Sequence, residues 1–278
     1  MKHGKAAIAL SAAAGVCAAL ASSVILAWPG AFPAPPGGEA SSSGAEARGW
    51  SAVTLAIGLP LLVVGILAAR RGWMRGRIAW AGALTYLVYT YLELAVSPPF
   101  TQLYLIYIAA FACALVALVL VVTSIEVTTL PPLFAQTPRR AIAIYSIAFS
   151  AGLSLAWLKD VVTRTANGEL GWLQGDEAIG HVVHALDLGL VVPLGVATGV
   201  TLLRRRPAGY LLGGITLVFA VCMGAALPAM VAWGAWAAGK SALGAMPFAM
   251  VGLLAAVLAF DFFRTPAPAG FEHPAHSH

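Results

Sequence analysis

Charge is scarce in this chain. Only 10% of its 278 residues are Asp, Glu, Lys or Arg, where an ordinary soluble domain has roughly 25%. With 60% hydrophobic residues and a mean hydropathy of +0.87, there is too little polar surface to cover a water-soluble fold. A bilayer removes that difficulty, because lipid solvates outward apolar side chains. Cysteine is scarce too. Cys17, Cys113 and Cys222 lie inside apolar runs and none belongs to a C-x-x-C pair, so a disulfide framework and a zinc ribbon are excluded. Small buried thiols are the reading that remains. No phosphate-binding loop, dinucleotide glycine motif or nucleophile elbow stands in a fitting context. The formal net charge of +5 comes from short basic clusters between apolar runs, a topology signal, so no nucleic-acid partner is expected.

What is present is a series of long apolar runs. A spanning helix needs about 20 mostly apolar residues. Eight segments meet that need, near 6–28, 51–69, 78–96, 103–123, 140–158, 179–203, 209–235 and 245–263. The runs are continuous rather than alternating, so the expected fold is an all-α polytopic transmembrane bundle of about eight helices, not a β-barrel. The first run is longer than the ~7–15 apolar residues of a signal peptide, and is read as a retained helix. Twelve of the sixteen basic residues fall on one side if both termini are cytoplasmic; only Arg48, Lys159, Arg164 and Lys240 fall outside. Abundant Ala and Gly, with Arg in excess of Lys, point to a bacterial high-GC genome and to the inner membrane.

The expected organisation is a transmembrane helix over 1–28, a Pro/Gly/Ser-rich extracytoplasmic linker over 29–50, a seven-helix core over 51–263 and a disordered cytoplasmic tail over 264–278. On this reading the first helix is loosely attached. Residues 159–178, with mixed charge and Trp172, read as an outer loop. No internal repeat is legible. His273, His276 and His278 in the tail are adventitious metal binders at most.

An ionisable side chain inside a span is expensive and needs a reason. Asp261 has one, because Arg264 lies three residues on. Four others do not. Glu93 closes T-Y-L-V-Y-T-Y-L-E, in which Tyr86, Tyr89, Thr90 and Glu93 share one helical face. The sixth segment opens G-D-E-A-I-G-H-V-V-H-A-L-D-L-G, placing His181, His184 and Asp187 over an arc of about 120°. Both groups lie at similar depth, so contact between the third and sixth helices would gather them. Three uses follow. One is a metal site for a divalent transition metal, with His181, His184, Asp187 and Glu93 as ligands. Another is a proton-linked or ligand-binding site using Glu93, Asp187, Tyr86 and Tyr89. The third is plain hydrogen-bonded cross-linking of helices. Haem is disfavoured, because two histidines three apart cannot supply both faces of one ring. Pro60, Pro193 and Pro228 lie within expected helices and can free carbonyls to line a cavity.

The stretches L-D-L-G-L-V-V-P-L at 186–194 and L-R-R-R-P-A-G-Y-L-L at 203–212, with Y-T-Y-L-E and Q-L-Y-L-I-Y within 89–107, resemble a pattern recurring in bacterial multi-pass membrane proteins. The resemblance covers about half the chain and implies no activity. It implies that Asp187 belongs to the common core, and that an amide residue is usual where His184 stands.

The expectation is therefore an integral membrane protein, bathed in lipid, that binds or transports a small solute or ion through an outward-facing polar pocket between helices three and six. The alternatives are a metal-dependent membrane enzyme at the same residues, or a non-catalytic subunit with a membrane-protein partner.

Overall fold

The computed structural model describes residues 4–32, 42–97, 100–169 and 176–264. Among these residues every regular element is helical. Seven helices are long and apolar enough to cross a membrane: α1 (Gly4–Ala27), α2 (Gly44–Arg70), α4 (Tyr104–Thr123), α5 (Arg139–Ala166), α6 (Gly180–Leu203), α7 (Pro207–Ala237) and α8 (Ala242–Arg264). The chain is thus an integral, multi-pass helical bundle, as its continuous apolar runs require. An eighth long helix, α3 (Met74–Val96), is less apolar and sits at the centre of the bundle. Trp80, Tyr86 and Tyr91 on it are fully buried, so its polar side chains face protein rather than lipid.

Two expectations about the first half are corrected. The segment 29–50 is not a linker throughout, because the helix leading into α2 begins at Ser42. Nor is α1 loosely attached. It lies along α4, burying Ala7, Ala14, Ala18 and Ala21 on one stripe. Trp80 Nε1 donates to Ser11 Oγ at 2.9 Å, and Tyr91 OH donates to the Ala18 carbonyl at 3.0 Å. Small residues let the α1 and α4 backbones approach, and the aromatic donors of α3 tie α1 to α3 as well. The expected outer loop from 159 is also shorter than read: α5 runs on to Ala166, carrying Lys159, Asp160 and Arg164 on helix. Trp172 and the tail histidines lie outside the described residues. Asp261 does pair with Arg264, at 2.7 Å.

The structure also reveals an internal repeat that pattern reading missed. A shift of 133 positions carries Thr54 onto Asp187, Gly72 onto Arg205 and Gly76 onto Gly209. Thr54 and Asp187 each open a π-helical turn, Thr54–Gly58 and Asp187–Val191. Each turn leads into a helix of 12 residues with proline in its first turn, Leu59–Arg70 and Val192–Leu203. Each helix ends in the same tight corner. Gly72 and Arg205 both adopt positive φ, +85° and +54°. Gly72 N donates to Ala69 O at 3.0 Å and Arg205 N to Leu202 O at 3.1 Å; Trp73 N donates to Ala68 O at 3.1 Å and Arg206 N to Thr201 O at 2.9 Å. Gly76 then packs on the backbone at Ala68–Ala69, and Gly209 on that at Thr201–Leu202.

The two copies, α1–α4 and α5–α8, meet at α3 and α7. Gly82 lies against Ile215, its own counterpart. Tyr86 neighbours Cys222, while the counterpart pair Phe219 and Tyr89 has its rings 5.6 Å apart, edge to face. Reciprocal contacts of this kind are what a two-fold axis along the bundle demands.

The copies differ at the end of the bundle away from the Arg70–Arg77 and Arg204–Arg206 corners, called here the far end. There α2 lies flat on α7, so close that a Cβ on Gly49 would stand 2.5 Å from the Ala229 carbonyl oxygen. The matching part of α6 touches α3 only sparsely. The copies differ in a second pair too: α1 packs along α4, while α5 touches α8 only sparsely.

Candidate functional site

Asp187 is the centre of the site. It opens the π turn of α6, and a π turn displaces one residue from the regular ladder, a distortion that recurs at functional sites. Its side chain is only 8% exposed. Tyr89 OH on α3 donates to Oδ1 at 2.7 Å, and Trp157 Nε1 on α5 donates to Oδ2 at 2.8 Å. One carboxylate therefore ties three helices together. Burial alone makes an ionised carboxylate costly, by about 2.5–3.5 kcal/mol at the centre of an inserted helix, and two donors to a charged group offset much of that.

A chain of polar groups leads from Asp187 toward the far end. His184, one turn earlier on α6, stands edge-on to Trp157 with ring centroids 4.2 Å apart. Its Nε2 lies 3.6 Å from Asp160 Oδ2. Arg164 Nε donates to the same Oδ2 at 3.0 Å, and its Nη1 lies 3.7 Å from Glu169 Oε2. Trp157, Asp160, Arg164 and His184 line a cavity of about 620 Å³ between α5 and α6, to which Lys159, Thr163 and Val183 also contribute.

The expected site residues divide. Asp187 and Tyr89 are brought together across α3 and α6, and His184 joins them through Trp157. Glu93 lies one turn beyond Tyr89, close enough to Asp187 for the two carboxylates to feel each other's charge. Ser97 Oγ donates to Glu93 Oε1 at 3.4 Å. Tyr86 is elsewhere: it points to α2, with its OH 2.7 Å from Thr54 Oγ1. His181 is exposed. Among the described residues no three His, Cys, Asp or Glu side chains converge as a metal-holding group.

Trp157, Asp160 and Arg164 were missing from the expected set. Their signal was in the sequence: W-x-x-D-x-x-x-R sets them at i, i+3 and i+7, on one helical face. It was masked by reading Asp160 and Arg164 as loop charges.

The first half of the chain serves as an internal control. At the positions of Asp187, His184 and His181 it has Thr54, Ser51 and Arg48. Thr54 and Ser51 are 1% and 4% exposed, as buried as their counterparts or more so. The same turn, proline and corner thus form around a neutral hydroxyl pair, Thr54 with Tyr86. The backbone does not require a carboxylate there.

Neither protein-family models, curated proteins nor solved structures yield a match to this chain.

Proposed function

We propose that this protein binds a small solute or ion at the polar site built by α3, α5 and α6, and that carrying it across the membrane is the purpose of that site. On this reading the basic corners are cytoplasmic, both termini lie in the cytoplasm of a bacterial inner membrane, and the cavity opens outward. One observation carries the proposal: the second repeat holds Asp187, His184 and the Asp160–Arg164 pair where the first repeat folds without any of them. Charge that folding does not need, placed beside a cavity, is best explained by a ligand. The metal-enzyme alternative has no observation of its own.

The test is ligand-dependent stabilisation of the purified protein. A ligand that binds only the folded state raises its stability in proportion to occupancy. Sodium, potassium, ammonium, chloride, phosphate, free amino acids and small organic cations serve as probes, on the wild type and on Asp187→Asn. A probe that stabilises the wild type but not the variant supports the reading. If none stabilises, or if each does so equally in both, the site does not bind as proposed.

A further inference from the structure

The two repeats show two packings of one design: α1 packs along α4 while α5 barely touches α8, and at the far end the segments before the two π turns are seated differently. In the first, the segment before the π turn of α2 lies tightly on α7. In the second, the segment before the π turn of α6 (Gly180–Leu186) stands off from α3. Both segments join the rest of their helix through a π turn followed at once by proline, at Pro60 and Pro193. Proline removes a ladder hydrogen bond, and a π turn loosens the ladder beside it, so the joint is the softest point of each helix. In transporters built from such repeats, parts of one half rock or gate against the other around a fixed site.

We infer that the far segment of α6 swings on its Asp187–Val191 turn between the stand-off described above and a position docked on α3, the docked position being the one α2 already takes on α7. The inference rests on the proposed binding site for what is enclosed, but not for the motion itself. The two-fold relation names the contact. Gly49 corresponds to Val182, and Ala229 to Val96, so docking sets Val182 against Val96. Val96 is now 54% exposed, an apolar side chain free to be covered.

Docking also changes the surroundings of the site. Glu93 corresponds to Ala226, which is fully buried on α7. A docked α6 would therefore cover Glu93, half-buried in the stand-off position, next to the already buried Tyr89 and Asp187. It would not pack as tightly as α2, because Val182 replaces a glycine and Glu93 an alanine. The space those larger side chains hold open is room for a small ligand next to two carboxylates, reached only while α6 stands off.

The experiment is cysteine cross-linking in membranes. Cys17, Cys113 and Cys222 are first replaced by alanine, then Val96→Cys and Val182→Cys are introduced together. Ser150→Cys with Gly195→Cys is the control, since a Cβ at position 195 stands 3.5 Å from that of Ser150, within disulfide reach. Under mild oxidation the control pair is expected to close at once and the Val96/Val182 pair more slowly but to completion. Spin labels on the same two positions are expected to give two distance populations. A control that closes while Val96/Val182 stays open, or a single distance population at either separation, overturns the swing. Such a result leaves the binding reading intact, because Asp187 holds its partners in the stand-off position. Loss of ligand-dependent stabilisation with both populations present would do the reverse.

Discussion

At Asp187 the side chain and the backbone make separate demands, and substitution can part them. Asp187→Thr installs the residue that the first repeat uses at the same turn. It is expected to fold, at a cost of no more than about 2 kcal/mol for the weakened bonds from Tyr89 and Trp157, and to lose ligand-dependent stabilisation entirely. Unfolding in a detergent titration, with and without the stabilising probe, measures both. Trp157→Phe asks a different question. It keeps an aromatic ring beside His184 but removes the donor to Oδ2, leaving a buried carboxylate oxygen short of a partner. A loss of about 1–3 kcal/mol is expected in the same titration, and none in the double variant with Asp187→Thr beyond that of Asp187→Thr alone. Additive losses would mean that the indole stabilises by packing and not through Asp187.

The elements of this bundle owe their bounds to short-range rules. Apolar runs made six of the spans readable to within a few residues, because a helix in lipid must satisfy its hydrogen bonds within itself. Helices α2 and α5 are the exceptions: α2, expected from 51, begins at Gly44, and α5, expected to stop at 158, reaches Ala166. Lys159, Asp160 and Arg164 look like a loop in a hydropathy window, yet the Asp160–Arg164 pair supports the helix across one turn. The corners between helices carry a testable strain. Arg205 is the one non-glycine residue of positive φ among those described, where the matching corner has Gly72. Arg205→Gly is expected to stabilise the protein by about 1 kcal/mol, and Gly72→Ala to destabilise it by a similar amount, in thermal unfolding. Opposite signs at equivalent places would confirm that the two corners are one structure.

For the whole molecule, orientation and duplication are the properties to test. Lys240→Cys, in a background without the native cysteines, is expected to react with a membrane-impermeant maleimide in intact cells. Arg71→Cys is expected to react only after permeabilisation. The reverse pattern would invert the bundle and place the cavity on the cytoplasmic side. The duplication explains why α3 is central though it is not among the seven helices apolar enough to cross a membrane: with α7 it forms the seam between two four-helix units. It also explains why no repeat was visible beforehand. Apart from Pro60/Pro193, Arg71/Arg204 and Gly76/Gly209, the two copies agree mostly in being apolar, and apolar agreement is uninformative in a membrane protein. Their equivalence lies in φ angles, turn hydrogen bonds and reciprocal contacts, none of which is a residue type.

By itself, the sequence determined that the chain is helical and embedded in lipid, and that Glu93, His184 and Asp187 need partners. Those conclusions depend only on solvation, since each residue's transfer cost is set by its own chemistry and its neighbours along the helix. Tertiary structure decided which partners they have. Tyr86 and Tyr89 share a helical face, yet one turns to Thr54 and the other to Asp187, because α3 lies between the two repeats and presents a different side to each. Trp157 entered the site, and His181 stayed outside it, for the same reason: side-chain spacing gives a direction around one helix, and only packing says what stands in that direction.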